Sequence, residues 1–251
     1  MQEFEKLFQD LTRQHDHSVV FNDFLSYGVD QFRIDYNPKH FHHETYTKEE
    51  YSIFYALFER LIKGTDEVLN NPNHDMGWYD MLGHFYEDVV QSKWKSGTRG
   101  QFFTPANVCE ALAELTVDNE GLDDKVYRVL DSACGSSRTL LAYHVRRPFD
   151  VCVGQDLDRT SCLMSVLNFV LHGVKGIILN MNSLSGEFYG AWKVNEFVDL
   201  GLPLTVEFTL NRDCLCLVGE SFTDNDDGSG VVELVKPSVD MVGDTAQTTL
   251  I

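Results

Sequence analysis

The chain has 251 residues, of which 43% are hydrophobic and 12% aromatic, so an extensively disordered protein is excluded. Its 20 basic and 39 acidic residues give a formal net charge of −19, which opposes broad attraction to nucleic acid or to an anionic membrane surface. No apolar run approaches the roughly 18 to 20 residues of a membrane helix, and the acidic N-terminus does not suit a signal peptide. We therefore expect a globular, cytoplasmic protein with no membrane segment.

Residues 1–99 are predicted to be almost entirely helical. Large apolar side chains recur there at i, i+3, i+4 and i+7 spacing, the period of a helix with one buried face. Thr47 and Glu50 form a capping-box pattern ahead of one such stripe. The three stripes lie at residues 4–11, 51–62 and 81–89. We expect them to form the core of this region.

After residue 100 the pattern changes to short β-branched runs that alternate with helices. Residues 127–130, 151–154 and 176–179 are predicted strands. Residues 139–145 and 162–172 are predicted helices between them. Strands joined by helical crossovers form parallel sheets, so we predict an α/β protein with a parallel sheet.

The remaining sequence is predicted to add a hairpin and a tail. Residues 204–210 and 215–218 are two adjacent predicted strands joined by a short polar turn. The sequence beyond them is an acidic loop followed by a polar, weakly patterned tail. The predicted divisions are a helical region at 1–99, an α/β domain at 100–220, and the loop and tail at 221–251.

The six cysteines lack the short, repeated spacing of a disulfide framework, so reduced thiols are expected. Two groups have a superficial metal-ligand spacing, Cys214 with Cys216, and His40 with His42 and His43. Neither group has a second set of ligands at suitable spacing. We therefore predict no metal site.

A turn of small residues at 131–137 follows the first predicted strand and indicates a ligand site. Such a turn lets backbone N–H groups and a helix N-terminus approach a ligand, and Asp156, at the end of the second strand, suits ribose hydroxyls. The turn is not GxGxxG and no Lys or Arg is identified to meet a pyrophosphate, which favours a nucleoside without phosphates. Alternatively, Gly135 only ends a strand, and Asp156 and Asp158 only cap the next helix.

Five motifs occur in a fixed order between residues 78 and 184. They are Leu-Gly-His-Phe-Tyr-Glu at 82–87, Gly-Gln-Phe-Phe-Thr-Pro at 100–105, Val-Leu-Asp-Ser-Ala-Cys-Gly-Ser-Ser at 129–137, Gly-Gln-Asp at 154–156 with Leu-His-Gly at 171–173, and Asn-Ser-Leu at 182–184. Together they resemble the adenine-N6 DNA methyltransferases, especially the modification subunits of type I restriction systems. The resemblance implies a shortened, Rossmann-like sheet that binds S-adenosylmethionine (SAM), preceded by a helical segment.

The resemblance also implies a set of cofactor-binding residues. They are Phe102, Phe103, Thr104, Pro105, Asp131, Ala133, Cys134, Gly135, Ser136, Asp156 and Asn182. The first four would wall the methionine end of SAM, Asp131 and the backbone of 133–136 would hold its amino-acid part, Asp156 would bind the ribose, and Asn182 the adenine amine. Ser137 replaces the last glycine of the family's turn, and Asn182 replaces an acid. We expect both departures to weaken cofactor binding rather than abolish it.

The catalytic Asn/Asp-Pro-Pro-Tyr/Phe motif of the resembled family is not found, since no two prolines are adjacent. The sequence Asn-Pro-Asn-His at 71–74 lacks the second proline and the aromatic residue, and a turn between helices explains it better. Trp192 is the one candidate for stacking on a flipped base, with Asn195 as its amide partner. Alternatively, Trp192 packs as a lid over a neighbouring cleft.

These observations support a SAM-binding, methyltransferase-like protein of a modification or defence system with little or no activity alone. One alternative is an active DNA adenine methyltransferase with divergent catalytic residues. A second alternative is an acidic protein that binds a partner, such as a decoy that occupies DNA-binding proteins. The net charge of −19 is the only observation in its favour. We expect DNA to be met through a partner subunit, in a homo- or hetero-oligomer.

Overall fold

The computed structural model describes residues 1–34, 45–91, 103–117 and 126–208, together with the backbone of three short strands further on. Phe102 and the proposed strand at 215–218 lie outside these ranges, as do the cysteines and histidines weighed as metal ligands. None of the helices in the described ranges combines the length and the apolar character needed to cross a membrane.

The N-terminal region is helical, as the periodicity predicts. Its helices are α1 (Gln2–Leu11), α2 (His17–Asp30), α3 (Lys48–Leu69) and α4 (Met81–Phe85), the last continuing as a π-helix over Tyr86–Gln91. Thr47 and Glu50 form the expected capping box at the start of α3. The sequence prediction missed α2, because most of this helix is buried and its apolar residues are not confined to one stripe.

The α/β part alternates helices and strands in the predicted order, and the parallel pairing of its first three strands is confirmed. The elements are α5 (Ala106–Thr116), β1 (Arg128–Asp131), α6 (Arg138–Arg146), β2 (Val151–Asp156), α7 (Arg159–His172), β3 (Gly176–Met181), β4 (Phe188–Val194), β5 (Thr205–Phe208), β6 (Ser221–Asp224), β7 (Gly230–Glu233) and β8 (Thr248–Leu250).

The main sheet has the order β5-β4-β3-β2-β1-β8. Strands β1, β2, β3 and β8 are parallel, whereas β4 runs antiparallel to β3 and to β5. The sequence prediction missed β4. This strand contains Trp192, for which the alternative prediction is a lid over a neighbouring cleft. The sequence prediction also paired the strand that begins near residue 204 with a later segment, whereas β5 pairs with β4. Strands β6 and β7 form a separate two-stranded sheet.

One hydrophobic core extends from the N-terminal helices into the α/β layer. Phe4, Phe8 and Phe85 meet edge to face, with ring centroids 4.8 and 4.9 Å apart in the two pairs that include Phe85. Helix α2 packs closely on α7, where Gly28 leaves no spare room beside Leu167. The helical region therefore packs on α7, which itself lies on the sheet. The division near residue 99 stays a prediction.

Two glycines in neighbouring strands offer a test of the sheet register. A Cβ on Gly176 in β3 would lie 2.0 Å from the carbonyl oxygen of Cys152 and 2.8 Å from the ring of Phe169. We expect Gly176→Ala to lower the free energy of unfolding by about 3 kcal/mol or more, measured by urea denaturation.

Gly190→Ala in β4 is the matched control, because a Cβ there meets no atom within 4 Å. This variant should be neutral or more stable by at most about 1 kcal/mol. Equal stability of the two variants would contradict the pairing of β2 with β3.

Candidate cofactor site

The carboxyl ends of β1, β2 and β3 bring the predicted cofactor residues to one edge of the sheet. Asp131 ends β1, Asp156 ends β2, and Asn182 directly follows β3. Parallel strands place their carboxyl ends at the same edge, where ligands of open α/β sheets bind. The turn 131–137 lies at this edge, between β1 and α6.

The Asp131 carboxylate shapes the turn from within. It accepts a hydrogen bond from the Ala133 backbone N–H at 3.1 Å and another from the Thr139 hydroxyl. Burial raises the pKa of Asp131, and these two hydrogen bonds act against that rise. Ser132 and Ala133 stay exposed at the tip of the turn, so their backbone is accessible to a ligand.

Asp156 joins the turn to the end of β2. Its Oδ2 accepts the Gly135 N–H at 2.9 Å, and its Oδ1 accepts the Asp158 N–H at 2.8 Å. Asp158, and not Asp156, caps α7, since its side chain accepts the Ser161 N–H at 3.0 Å. Because each carboxylate oxygen has two acceptor directions, Asp156 retains capacity for a hydroxyl group.

Phe103 lies directly against the turn. Gly135 has φ 55°, and a Cβ there would be 2.7 Å from Cδ1 of Phe103, so a residue without a side chain is required. Thr104 and Pro105 follow Phe103, and Pro105 precedes α5. Of the Phe-Phe-Thr-Pro segment, the structure thus shows Phe103 in contact with the turn.

Arg138 directly follows the turn, and the sequence interpretation overlooked it as a cation that could meet a phosphate. Its Nε donates to Asp80 at 2.7 Å and its Nη2 donates to Glu87 at 2.8 Å. The guanidinium also lies 5.3 Å from the centroid of the Phe103 ring. Arg138 is therefore buried and neutralised, and a ligand without phosphates is still favoured.

Ser137 and Cys134 point into the protein. Ser137 has φ 70°, a backbone region that favours glycine, and its buried hydroxyl donates to Ser165 on α7 at 2.8 Å. The side chain is thus directed away from the exposed tip, and it does not crowd that side of the turn. Burial raises the pKa of the Cys134 thiol, which keeps it protonated and unreactive.

The turn after β3 closes the other side of the edge. The side-chain oxygen of Asn182 accepts the N–H groups of Leu184 and Ser185 at 3.0 and 3.2 Å, so this oxygen is engaged within its own turn. The Ser183 hydroxyl donates to the Ser132 carbonyl at 2.6 Å. The turns after β1 and β3 therefore meet across the end of β2.

Two exposed leucines at this edge were missed by the sequence analysis. Leu157, directly after Asp156, is 57% exposed, and Leu184 is 99% exposed. Apolar side chains beside polar ligand groups are typical of nucleoside pockets. Their positions, one residue after β2 and three residues after β3, were the available signal.

Trp192 and Asn195 are not brought to the cofactor edge. Strand β4 is antiparallel to β3, so Val194 pairs with Gly176, the first residue of β3. Asn195 thus lies at the opposite end of the sheet, fully buried, where its amide donates to the carbonyls of Phe169 and Val174 at 2.8 and 3.0 Å. Trp192 is buried in the core, and neither side chain meets the geometry of a base-binding pair.

The described residues contain no group of three or more His, Cys, Asp or Glu side chains arranged for a metal ion. The segment 71–74 is a turn in which the Asn71 side chain accepts the Asn73 N–H at 3.0 Å. The fold is that of an α/β protein, and its candidate ligand groups lie together at the carboxyl edge of the sheet.

Comparison with known proteins shows a similarity over the middle of the chain. Residues 77–189 match the family of N-6 DNA methylases. The methylase subunit of the type I restriction enzyme MjaVIII of Methanocaldococcus jannaschii is 34% identical over 100 residues, which cover 38% of this chain and 16% of that protein. The MpnII methylase subunit of Mycoplasma pneumoniae is 31% identical over 139 residues, 51% of this chain and 25% of that protein.

Residues 77–189 of this chain are therefore similar to the N-6 DNA methylases, including methylase subunits of type I restriction enzymes. The chain spans a quarter or less of the length of these two relatives. Among solved structures, a type I restriction-modification methyltransferase subunit of Streptococcus thermophilus is 25% identical, with a TM-score of 0.33 over 52% of this chain and 27% of that one. A class I SAM-dependent methyltransferase of Listeria monocytogenes is 16% identical, with a TM-score of 0.44 over 73% and 55%.

A neutral histidine supports the segment before α4. The Tyr79 N–H donates to Nε2 of His172 at 3.1 Å, while Nδ1–H of His172 donates to the Asn168 carbonyl at 2.7 Å. Only the neutral ring satisfies both contacts, and burial lowers the pKa of His172. With the folded-state pKa below the unfolded value of 6.5, this contribution to stability is complete above pH 6.5 and is lost as the pH falls.

We expect the free energy of unfolding to fall more steeply between about pH 7 and about pH 5 in the wild type than in His172→Gln. Denaturant titrations across this range measure both slopes. Asp131 and Asp156 have raised pKa values and act in the opposite sense, but they are present in both proteins. Burial also lowers the pKa of His144, which interacts with His172, so the difference between the slopes reports His172 together with this interaction. Equal slopes would contradict the assignment.

Proposed function

We propose that this chain binds SAM at the carboxyl edge of β1 to β3 and is a methyltransferase-like component of a restriction-modification system. The observation that carries the proposal is the contact of Asp156 with the Gly135 N–H, beside Phe103. It unites a ribose-binding carboxylate, an accessible glycine turn and an aromatic wall in one place. The family match supports the same ligand class.

Each group has a distinct task in this proposal. Asp156 accepts the ribose hydroxyls, and the exposed backbone of Ser132 and Ala133 meets the amino-acid part. Leu157 and Leu184 offer apolar surface to the adenine. Asp131 acts by shaping the turn, since its oxygens already accept hydrogen bonds from Ala133 in the turn and from Thr139 on α6.

Further residues complete the proposed site. Phe103, Thr104 and Pro105 wall the methionine end, and Phe102 is assigned to the same wall from its motif alone. The Asn182 oxygen serves its own turn, which leaves the amide N–H₂ of this side chain to face the adenine. Cys134, Gly135 and Ser136 contribute backbone only.

The charge of the site favours a sulfonium ligand. Asp131 and Asp156 are the carboxylates at the edge, while the cation of Arg138 is neutralised by Asp80 and Glu87. A cationic ligand is thus attracted and a pyrophosphate gains no counter-charge. When bound, SAM supplies an activated methyl group.

Methyl transfer to adenine requires acceptors for the amine protons and an aromatic platform for the flipped base. Trp192 and Asn195 are buried away from the cofactor edge, and they do not support this role. We therefore propose that the chain has little or no activity alone and meets DNA through a partner subunit. This second part explains how a protein of net charge −19 could act in DNA modification.

Cofactor binding is tested with Asp156→Ala and its neighbour Asp158→Ala. We expect wild-type protein to bind SAM and S-adenosylhomocysteine in calorimetry, and Asp156→Ala to bind about tenfold more weakly or worse, because charge-assisted hydrogen bonds to the ribose are lost. Asp158→Ala should lose about 1 kcal/mol of stability as a helix cap but bind normally. No heat with either ligand at millimolar concentration would refute the proposal.

Methyl transfer is tested with tritiated SAM and mixed-sequence single- and double-stranded DNA. The isolated chain should transfer no label to adenine, since it lacks an identified group to position the amine. Transfer at turnovers per minute by the wild-type chain would establish the active-enzyme alternative instead. Its loss in Asn195→Ala and Trp192→Ala, but not in Asn71→Ala, would assign the role to these residues only where urea denaturation shows each variant to be folded.

A further inference from the structure

We infer that Asp80 and Glu87, which precede the sheet in the chain, are positioning residues that hold the cofactor turn and the Phe103 segment at a fixed separation and thereby set cofactor affinity. This inference rests on the proposed function of the same site. It assigns a further role to the helical segment before the α/β layer, in addition to its packing on α7.

Asp80 is fully buried, and its two oxygens accept four hydrogen bonds. Oδ2 accepts from the Ser136 hydroxyl at 2.6 Å and from Nε of Arg138 at 2.7 Å. Oδ1 accepts from the Gly83 N–H and from the Asn168 amide, both at 2.8 Å. A carboxylate has about four acceptor sites, so that of Asp80 is fully used by the protein.

Two of these contacts define where the turn lies. The Ser136 hydroxyl is held by Asp80, and the Ser136 carbonyl accepts a second hydrogen bond from Asn168 at 2.8 Å. Ser136 is therefore fixed at both its side chain and its backbone. Gly135, the residue that contacts Asp156 and Phe103, directly precedes it.

Glu87 holds the other wall of the site. Its Oε1 accepts the Phe103 N–H at 3.0 Å, and its Oε2 accepts from Nη2 of Arg138 at 2.8 Å. Arg138 thus bridges one carboxylate that holds the turn and a second that holds Phe103. The distance between Gly135 and the Phe103 ring is set through this bridge.

Gly83 shows how tightly the arrangement is built. A Cβ on Gly83 would lie 1.9 Å from Oδ2 of Asp80 and 2.8 Å from the Ser136 hydroxyl. Only glycine leaves room for the carboxylate to reach the turn at this point. Gly83 and Glu87, the glycine and the glutamate of the Leu-Gly-His-Phe-Tyr-Glu motif, therefore both belong to the network around Asp80 and Arg138.

The energetics favour a positioning task over a purely stabilising one. A buried ion pair costs desolvation, so replacement by packed apolar residues is often neutral for stability. Such a network does supply a defined geometry, because its hydrogen bonds are strong only over a narrow range of distances and angles. The geometry set here is that of the cofactor turn.

The chain contains a matched control at the opposite edge of the sheet. Asp150 is also buried, and it accepts from the Tyr143 hydroxyl at 2.7 Å, Nε of Arg147 at 3.0 Å and the Tyr127 N–H at 2.9 Å. It lies at the amino ends of β1 and β2, away from the turn. Asp150→Asn perturbs the same kind of network without touching the site.

The experiment measures SAM and S-adenosylhomocysteine affinity by calorimetry in the full chain, at a temperature where urea denaturation shows each variant to be folded. We expect Asp80→Asn and Glu87→Gln to weaken binding by about tenfold, and Ser136→Ala by about threefold, because the turn and Phe103 shift relative to each other. Asp150→Asn should lose stability yet bind within about twofold of the wild type.

Hydrogen exchange separates a positioning role of these residues from an effect on overall stability. Because coupling is reciprocal, cofactor binding should slow hydrogen exchange at residues 80–87 more than at the peptide containing Asp150, in mass spectrometry of the wild type. In Ser136→Ala this additional protection should shrink, since the contact that transmits it is removed. Comparing the two segments within one protein controls for overall stability, because a global change in stability alters the exchange of both segments.

If Asp80→Asn does not fold, Ser136→Ala decides the question, because it removes one hydroxyl and leaves Asp80 three donors. Wild-type affinity in folded Ser136→Ala and Glu87→Gln, or equal weakening in Asp150→Asn, overturns this inference while leaving the proposed function intact. A wild-type protein that binds neither ligand overturns both.

Discussion

A carboxylate taken out of water needs hydrogen-bond donors in its place, and much of the architecture around the candidate site follows from meeting this need at Asp80. The donors come from α4, from Ser136 in the turn, from Arg138 at the start of α6, and from Asn168 on α7. Three of them lie 56 to 88 residues further along the chain. Satisfying one side chain therefore ties the helical segment to the carboxyl edge of the sheet.

The same edge is organised by the parallel strands. Because β1, β2 and β3 run in one direction, Asp131 and Asp156 reach the same edge, and the Gly135 N–H connects the turn after β1 to Asp156. The residues that match the N-6 DNA methylases, 77–189, include both this edge and the Asp80 network. The similarity to that family thus coincides with the part of the chain in which these contacts occur.

Periodicity predicted most of the fold because its elements are amphipathic or β-branched over their own length. It failed for α2 and β4, and for a physical reason in each case. Helix α2 is buried on most sides between other elements, so no polar face reveals its period. Strand β4 is antiparallel, and its sequence places an exposed residue, a glycine and a lysine close to Trp192. A loop can have the same mixture of residues. Only packing against β3 and β5 distinguishes the two structures.

The sequence by itself determined the turn at 131–137, the acid at the end of β2 and the resemblance to the N-6 DNA methylases, because each depends on neighbouring residues that must stand in order. It could not place Trp192 and Asn195, since the direction of β4 decides which end of the sheet they reach. It could not reveal what Asp80 and Glu87 contact, because those contacts join residues far apart in the chain. Tertiary structure decided these points, since a buried charge must find its donors wherever the packed fold supplies them.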